Sequence, residues 1–242
     1  MNKNKSNINQ YYKESIHTKL SYIFGVMAVG IQFVIGFRYI DVLFGQLCIV
    51  EGIFGLAGLL LLDIFHGKPI YPKKFKKIDP DLLFRVVIIF GIIALIQFIF
   101  QIIPLITSTE MALAVVFCAV CEEFFFRGLL MEPTFRIGKK SKKKLRVWNP
   151  RNNRNKSSWS KIFTPVDNEI SYIEIFGILL QSCFFAAFHV NYYGQPRLIG
   201  MVFVGGIWLG LTYWWWRDLT AVILAHFLLN IIFIFQWYQV ML

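Results

Sequence analysis

Apolar residues run along the 242-residue chain in seven blocks, at about 20–38, 42–65, 84–106, 110–134, 170–190, 198–216 and 219–240. Each is close to the ~20 residues that an α-helix needs to cross a bilayer's hydrocarbon core. Hydrocarbon offers no partner to a backbone amide, so a spanning segment must close its hydrogen bonds within itself. The pattern therefore predicts an all-α, polytopic transmembrane helical bundle of about seven spans, with six to eight as the alternatives. Pro104 near the end of the third block suits a helix terminus or kink. Asp218, just before the last block, suits an N-cap. The first block, Leu20 to Phe37, is longer than a signal-peptide core and no small-x-small cleavage site follows it, so it is expected to stay as the first span.

Composition strengthens this reading. Apolar residues make up 57% of the chain, 25 of them Phe, and the mean hydropathy is +0.57. A soluble domain of this size has too little interior to hide so much apolar surface. One membrane domain is expected, organised as a basic tail (1–19), three accessory helices (20–108) and a C-terminal bundle (109–240) interrupted by a basic loop (136–169). Cys48, Cys118, Cys121 and Cys183 all lie in apolar blocks and read as small hydrophobes, with no disulfide framework implied; the C-x-x-C of Cys118 and Cys121 is a weak metal or redox signal without a second pair.

The net charge of +11 sits between the blocks. Basic residues cluster in 1–19, in the second connection (Lys68 to Arg85), between Arg136 and Lys161, and at Arg217. Seven alternating spans place all of these on one side, leaving only Arg38 and Arg197 on the other. Positive loops stay cytoplasmic, so the expected location is the cell membrane, multi-pass, with the N-terminus inside and the C-terminus outside. No nucleic-acid partner is implied, because no basic helix or aromatic-basic interleaving is present. The eleven basic residues of 136–161 read first as solvated topogenic charge and second as an attractor of anionic head groups.

Polar groups inside the blocks are costly, which makes each a functional-site hypothesis. The fourth block holds Glu122, Glu123 and Arg127; the fifth ends at His189; the seventh holds His226 and Asn230. Glu123 and Arg127 are four apart, acid before base, and can neutralise each other on one helix face. Glu122 lies about 100° around the helix and is the freer carboxylate. His226 and Asn230 are also four apart and offer adjacent donors of the kind that hold an oxyanion. Phe185 shares a face with His189 and can pack against its ring. Glu51 and Asp63, in the second block, have no assigned role beyond a hydrogen bond within the bundle or an access path.

These residues, in this order, resemble the CAAX-protease and bacteriocin-processing (CPBP) family of intramembrane proteases. The E-E-x-x-x-R motif stands as Glu122 to Arg127, F-x-x-x-H as Phe185 to His189, and H-x-x-x-N as His226 to Asn230, with Gly206 and Gly210 matching the small-residue helix between the last two. The resemblance covers about residues 109–234. It implies a hydrolase acting inside the membrane on a peptide or protein, with Glu122 and His189 activating water, His226 and Asn230 stabilising the oxyanion, and Glu123, Arg127 and Phe185 in support. A neutral histidine is the expected oxyanion partner.

The expected cofactor is none. The alternative is a metalloprotease with zinc at Glu122, His189 and His226, although no H-E-x-x-H helix is present. Lys-, Asn- and Ile-rich composition suggests an AT-rich bacterium, and with it bacteriocin immunity or peptide-signal maturation rather than a prenylated substrate. The rivals are a non-catalytic membrane immunity or scaffold protein, and a proton-coupled transporter, which would show two related halves. One conflict stands. Counted from the cytoplasmic block ends, His226 is shallow, Glu122 central and His189 deep.

Overall fold

A computed structural model describes residues 2–36, 38–42, 45–66, 80–100, 117–147 and 164–241. Helix α1 (Asn2–Ile35) leads into an antiparallel hairpin, β1 (Tyr39–Val42) against β2 (Gly45–Cys48), with Tyr39 opposite Cys48. Helices α2 (Ile49–His66) and α3 (Pro80–Phe100) follow. Helix α4 occupies residues 117–139 and widens to π geometry over Phe124–Met131. A short ladder, β3 (Lys144–Arg146) with β4 (Glu169–Ser171), joins the two ends of the basic loop. Then come α5 (Tyr172–Phe188), a 3₁₀ turn (Val190–Tyr192), α6 (Pro196–Trp216) and α7 (Leu219–Met241). The architecture is an all-α bundle carrying two small ladders.

Local chemistry explains several boundaries. The second apolar block starts at 42, but its helix starts at Ile49, because residues 39–48 pair as a hairpin. Ser171 and Glu174 form a reciprocal capping box that starts α5. Pro196 opens α6, where its missing N–H costs nothing. The Asp218 carboxylate accepts from the Ala221 amide at 3.1 Å, the expected N-cap contact of α7. Helix α1 runs back through the basic N-terminal residues to Asn2. Pro104, most of the second basic connection and the middle of the 136–169 loop lie outside the described residues, as does the side chain of Asp63.

The bundle is apolar outside and partly polar inside. Phe98 is 80% exposed and Val34 83%, whereas Glu123 and Arg127 are fully buried. Water would favour the reverse. Among the described residues Ser15–Ile35, Pro80–Phe100 and Pro196–Trp216 are long and apolar enough to cross a membrane, and three shorter apolar helices, Ile49–Leu60, Tyr172–Phe188 and Leu219–Ile231, accompany them. This is a membrane protein.

Helix registers bring the expected site residues to one level. α4 and α5 run antiparallel: Gly138 lies against Ser171 and Glu174, Gly177 against Thr134, and the Phe126 ring against Phe185 at 5.1 Å. The same register carries His189 to Glu122. The sequence-based conflict arose because α4 continues past its apolar block to Lys139. Glu122 and His189 are then each 17 residues from the ends of α4 and α5 at Lys139 and Tyr172. His226 arrives by a different route. The α6–α7 turn is inset, with Arg217 bonded at 3.2 Å to Glu132, about two turns short of the end of α4. Nine residues along α7 from Arg217, and nine back along α4 from Glu132, His226 meets Glu123.

The fourth partner, α2, runs parallel to α4. A Cβ on Gly55 would overlap Cys121, and one on Gly58 would lie 2.9 Å from the Phe124 carbonyl oxygen. Absent side chains at these two positions let α2 touch the backbone of α4 where the π turn begins. π turns of this kind recur at functional sites.

Candidate active site

Glu122 and Glu123 occupy adjacent positions at the start of the π turn and face different partners. The Glu123 carboxylate accepts from Arg127 Nη1 at 2.9 Å and from His226 Nδ1 at 2.8 Å, both through Oε1. Arg127 also donates to the Gly206 carbonyl oxygen at 3.4 Å and lies 4.6 Å over the Phe185 ring. Gly206 is closely faced by Ser182 and Phe185, so α6 can bring its carbonyl within reach. A buried guanidinium thus has a carboxylate, a carbonyl and an aromatic face around it. Desolvating an ion is tolerable only with such company.

Glu122 is buried and stands between two imidazoles. Its Oε1 is 3.7 Å from His189 Nε2, and its Oε2 is 3.7 Å from His226 Nε2. These separations are too long for direct hydrogen bonds and suit bridging by a single water. His189 Nδ1 lies 2.7 Å from the Phe185 carbonyl oxygen, which can only accept. Nδ1 therefore carries the proton, and Nε2 of the neutral ring offers a lone pair toward Glu122. Two acceptors facing one gap are what a water needs to donate both hydrogens and present its own lone pair elsewhere.

His226 is held differently. With Nδ1–H donated to Glu123, its Nε2 becomes a donor only when the ring carries both protons. Arg127, Glu123, His226 and Glu122 stand in a row, each beside the next.

Phe185 sits at the centre, edge-on to His189 at 4.8 Å and to His226 at 6.2 Å between ring centroids. It spaces the two imidazoles and roofs Arg127. Asn230 is buried one turn beyond His226 on α7. All seven residues singled out from the sequence therefore lie on neighbouring helices around one interior region, six of them linked by the distances above.

Comparison with protein-family models gives a match to the type II CAAX prenyl endopeptidase Rce1-like family over residues 104–232, just over half of the chain. The chain belongs to this family. No curated protein and no solved structure matches it. The Rce1-like segment takes in α4, α5, α6, the first part of α7 and all three motifs; α1, α2 and α3 lie before it.

Among the described residues, no group of three His, Cys, Asp or Glu side chains is placed to hold a metal ion. Glu122 gives one oxygen to each imidazole side, and His226 has already committed Nδ1 to Glu123.

Sequence reasoning missed three contributors. Gln181, buried on α5, donates to the Gly206 carbonyl at 3.0 Å and to Ser182 Oγ at 2.7 Å, sharing with Arg127 the same acceptor. Its presence in an apolar block was a usable signal. Tyr192 stacks on His189 with ring centroids 5.6 Å apart and planes 26° off parallel. Arg217 bonds Glu132, Glu174 and Asp167 and covers Phe135, tying α4, α5 and α7 together at the basic face.

Proposed function

We propose that the chain is an intramembrane endopeptidase in which Glu122 and His189 activate a water for attack on a peptide bond, while His226 and Asn230 hold the resulting oxyanion. The family is one of CAAX-type proteases that work within membranes, which supports a peptide or protein substrate presented there. The observation that carries the finer reading is the placement of both imidazole Nε2 atoms 3.7 Å from opposite oxygens of one buried carboxylate.

Each residue then has a task. The Glu122 carboxylate takes a proton from water while His189 Nε2 accepts the second hydrogen and aligns the water. The nucleophilic oxygen adds to the carbonyl carbon, and negative charge collects on the carbonyl oxygen. His226 Nε2–H and the Asn230 amide donate to it, as preorganised donors do most of their work in a dry site. The proton on Glu122 passes to the amide nitrogen as the C–N bond breaks, restoring the carboxylate. Glu123, itself held by Arg127, fixes the His226 ring.

The basic residues of the Lys139–Arg146 segment support a cytoplasmic placement for that face, with the N-terminus inside and the C-terminus outside. A reporter fused to the C-terminus that stays active only in the cytoplasm would reverse the orientation. Residues 1–19, 20–108 and 109–240 serve as tail, accessory helices and catalytic bundle. Bacterial composition favours an unprenylated peptide, as in bacteriocin immunity or peptide-signal maturation, over the prenylated CAAX peptides of the family description.

Purified protein in detergent, given labelled peptides with and without a prenyl group, tests the activity. Hydrolysis is expected, unaffected by a strong chelator, and Glu122→Gln or His226→Ala is expected to lower kcat at least a hundredfold with the fold intact. Loss of activity on chelation, restored by zinc, would replace this mechanism by a metal-dependent one. A cellular phenotype untouched by either substitution would point to a scaffold instead.

A further inference from the structure

Glu51 lies on α2, outside the family-matched segment, yet it is 4% exposed and belongs to the same interior. The parallel register of α2 on α4 sets its level. Gly55 lies against Cys121 and Gly58 against Phe124, so Glu51, one turn earlier, comes to Cys118, whose thiol hydrogen-bonds its carboxyl group. Cys118 is one turn before Glu122 on the same face of α4, and Glu51 and Glu122 interact electrostatically. The second carboxyl oxygen of Glu51, Oε2, is buried without a partner.

The surroundings of the two glutamates differ. Glu122 lies between His189 and His226 and interacts electrostatically with Arg127. Glu51 interacts with Cys48, Cys118, Cys121, Tyr192 and Glu122, and among the described residues no ion pair joins it to a cation. An ionised, unpaired carboxylate inside a bilayer is costly. Carrying a proton removes that cost and turns Oε2 into a donor. The carboxylate with which it interacts is Glu122.

We propose that Glu51 is a positioning residue of the site, a neutral carboxylic acid that donates a hydrogen bond, directly or through one water, to the Glu122 carboxylate. The proposal rests on Glu122 being the base assigned above. Two glutamates in one interior then have separate duties: one accepts the proton of the attacking water, and the other holds it in place from the α2 side. An accessory helix thereby becomes part of the reaction.

The test uses the full chain in detergent and two substitutions, Glu51→Gln and Glu51→Leu. Glutamine keeps a donor without a titrating proton, and leucine removes the donor. Glu51→Leu is expected to lower kcat about tenfold or more at unchanged KM, while Glu51→Gln stays within about threefold of wild type. Wild-type kcat in Glu51→Leu would overturn the proposal, as would a Glu51→Gln enzyme as slow as the leucine variant. A second readout does not need activity: the infrared carbonyl band of a protonated carboxyl group. The band is expected to be lost in both Glu51 variants and shifted in Glu122→Gln. Spectra of wild type and Glu51→Gln that coincide in this region would refute a neutral Glu51. If wild-type protein cleaves nothing, the peptidase reading fails, and the infrared comparison still decides whether Glu51 donates to Glu122.

Discussion

Replacing Glu123 by Gln removes the negative charge between Arg127 and His226 while barely changing shape. Its Oε1 accepts from Arg127 at 2.9 Å and from His226 at 2.8 Å, with both carboxylate and guanidinium fully shielded from solvent. Hydrogen bonds to charged groups contribute about 1.5–3 kcal/mol each, roughly twice their neutral counterparts. Halving two of them costs about 1.5–3 kcal/mol, and leaving Arg127 without a counter-charge raises the loss toward the ~3–5 kcal/mol typical of a broken buried pair. The kinetic effect is separate. Without the Glu123 carboxylate, His226 loses the acceptor that fixes its ring, and with it a well-placed oxyanion donor. Loss of one such donor costs about 10²–10³ in kcat. The assay is peptide hydrolysis in detergent with kcat and KM resolved, alongside a thermal unfolding curve. A Glu123→Gln/Arg127→Met double variant separates the two effects, because it removes the stranded guanidinium. Stability should largely return and kcat should not. A single variant with kcat within about threefold of wild type would show that Glu123 does not act through His226. Recovery of kcat in the double variant would show that the defect was only one of folding.

Other expected outcomes follow from packing. Gly55→Val should force α2 away from Cys121 and cost at least ~2 kcal/mol, seen as a lower unfolding midpoint in detergent. Gly91→Ala, where nothing lies within 4 Å, is the control and should leave the midpoint unchanged or slightly raised. Arg217→Ala removes bonds to Glu132, Glu174 and Asp167 from a residue held at φ 50°. A loss of about 2–4 kcal/mol is expected, and kcat should fall with it if the inset α6–α7 turn sets the height of His226; an unfolded fraction too small to explain the loss of rate would support that link, whereas unchanged rates would break it.

Much of this arrangement could be read from residue order alone. Long apolar blocks require helices, since a backbone in hydrocarbon has no other way to satisfy itself. Within those helices, polar residues are expensive enough that Glu122, Glu123, Arg127, His189, His226 and Asn230 announce themselves. Local periodicity also paired Glu123 with Arg127, because four residues of helix bring two side chains together whatever surrounds them.

Heights and partners across helices needed the folded chain. Hydropathy marks where a segment is apolar, but α4 runs on to Lys139, and Arg217, just before α7, bonds Glu132 and Glu174 across helices. Those contacts seat the start of α7 about two helical turns short of the end of α4, which converts an apparent mismatch of depth into a shared level. Glu123 accepting from His226 Nδ1 is likewise a relation between residues 103 positions apart, and it leaves Nε2 as the ring nitrogen facing Glu122. Glu51 shows the same division. Its burial was foreseeable from its block, but its closeness to Glu122 depended on Gly55 and Gly58 letting two backbones touch. A sequence determines which groups must leave water; only the packing of helices decides which of them find one another.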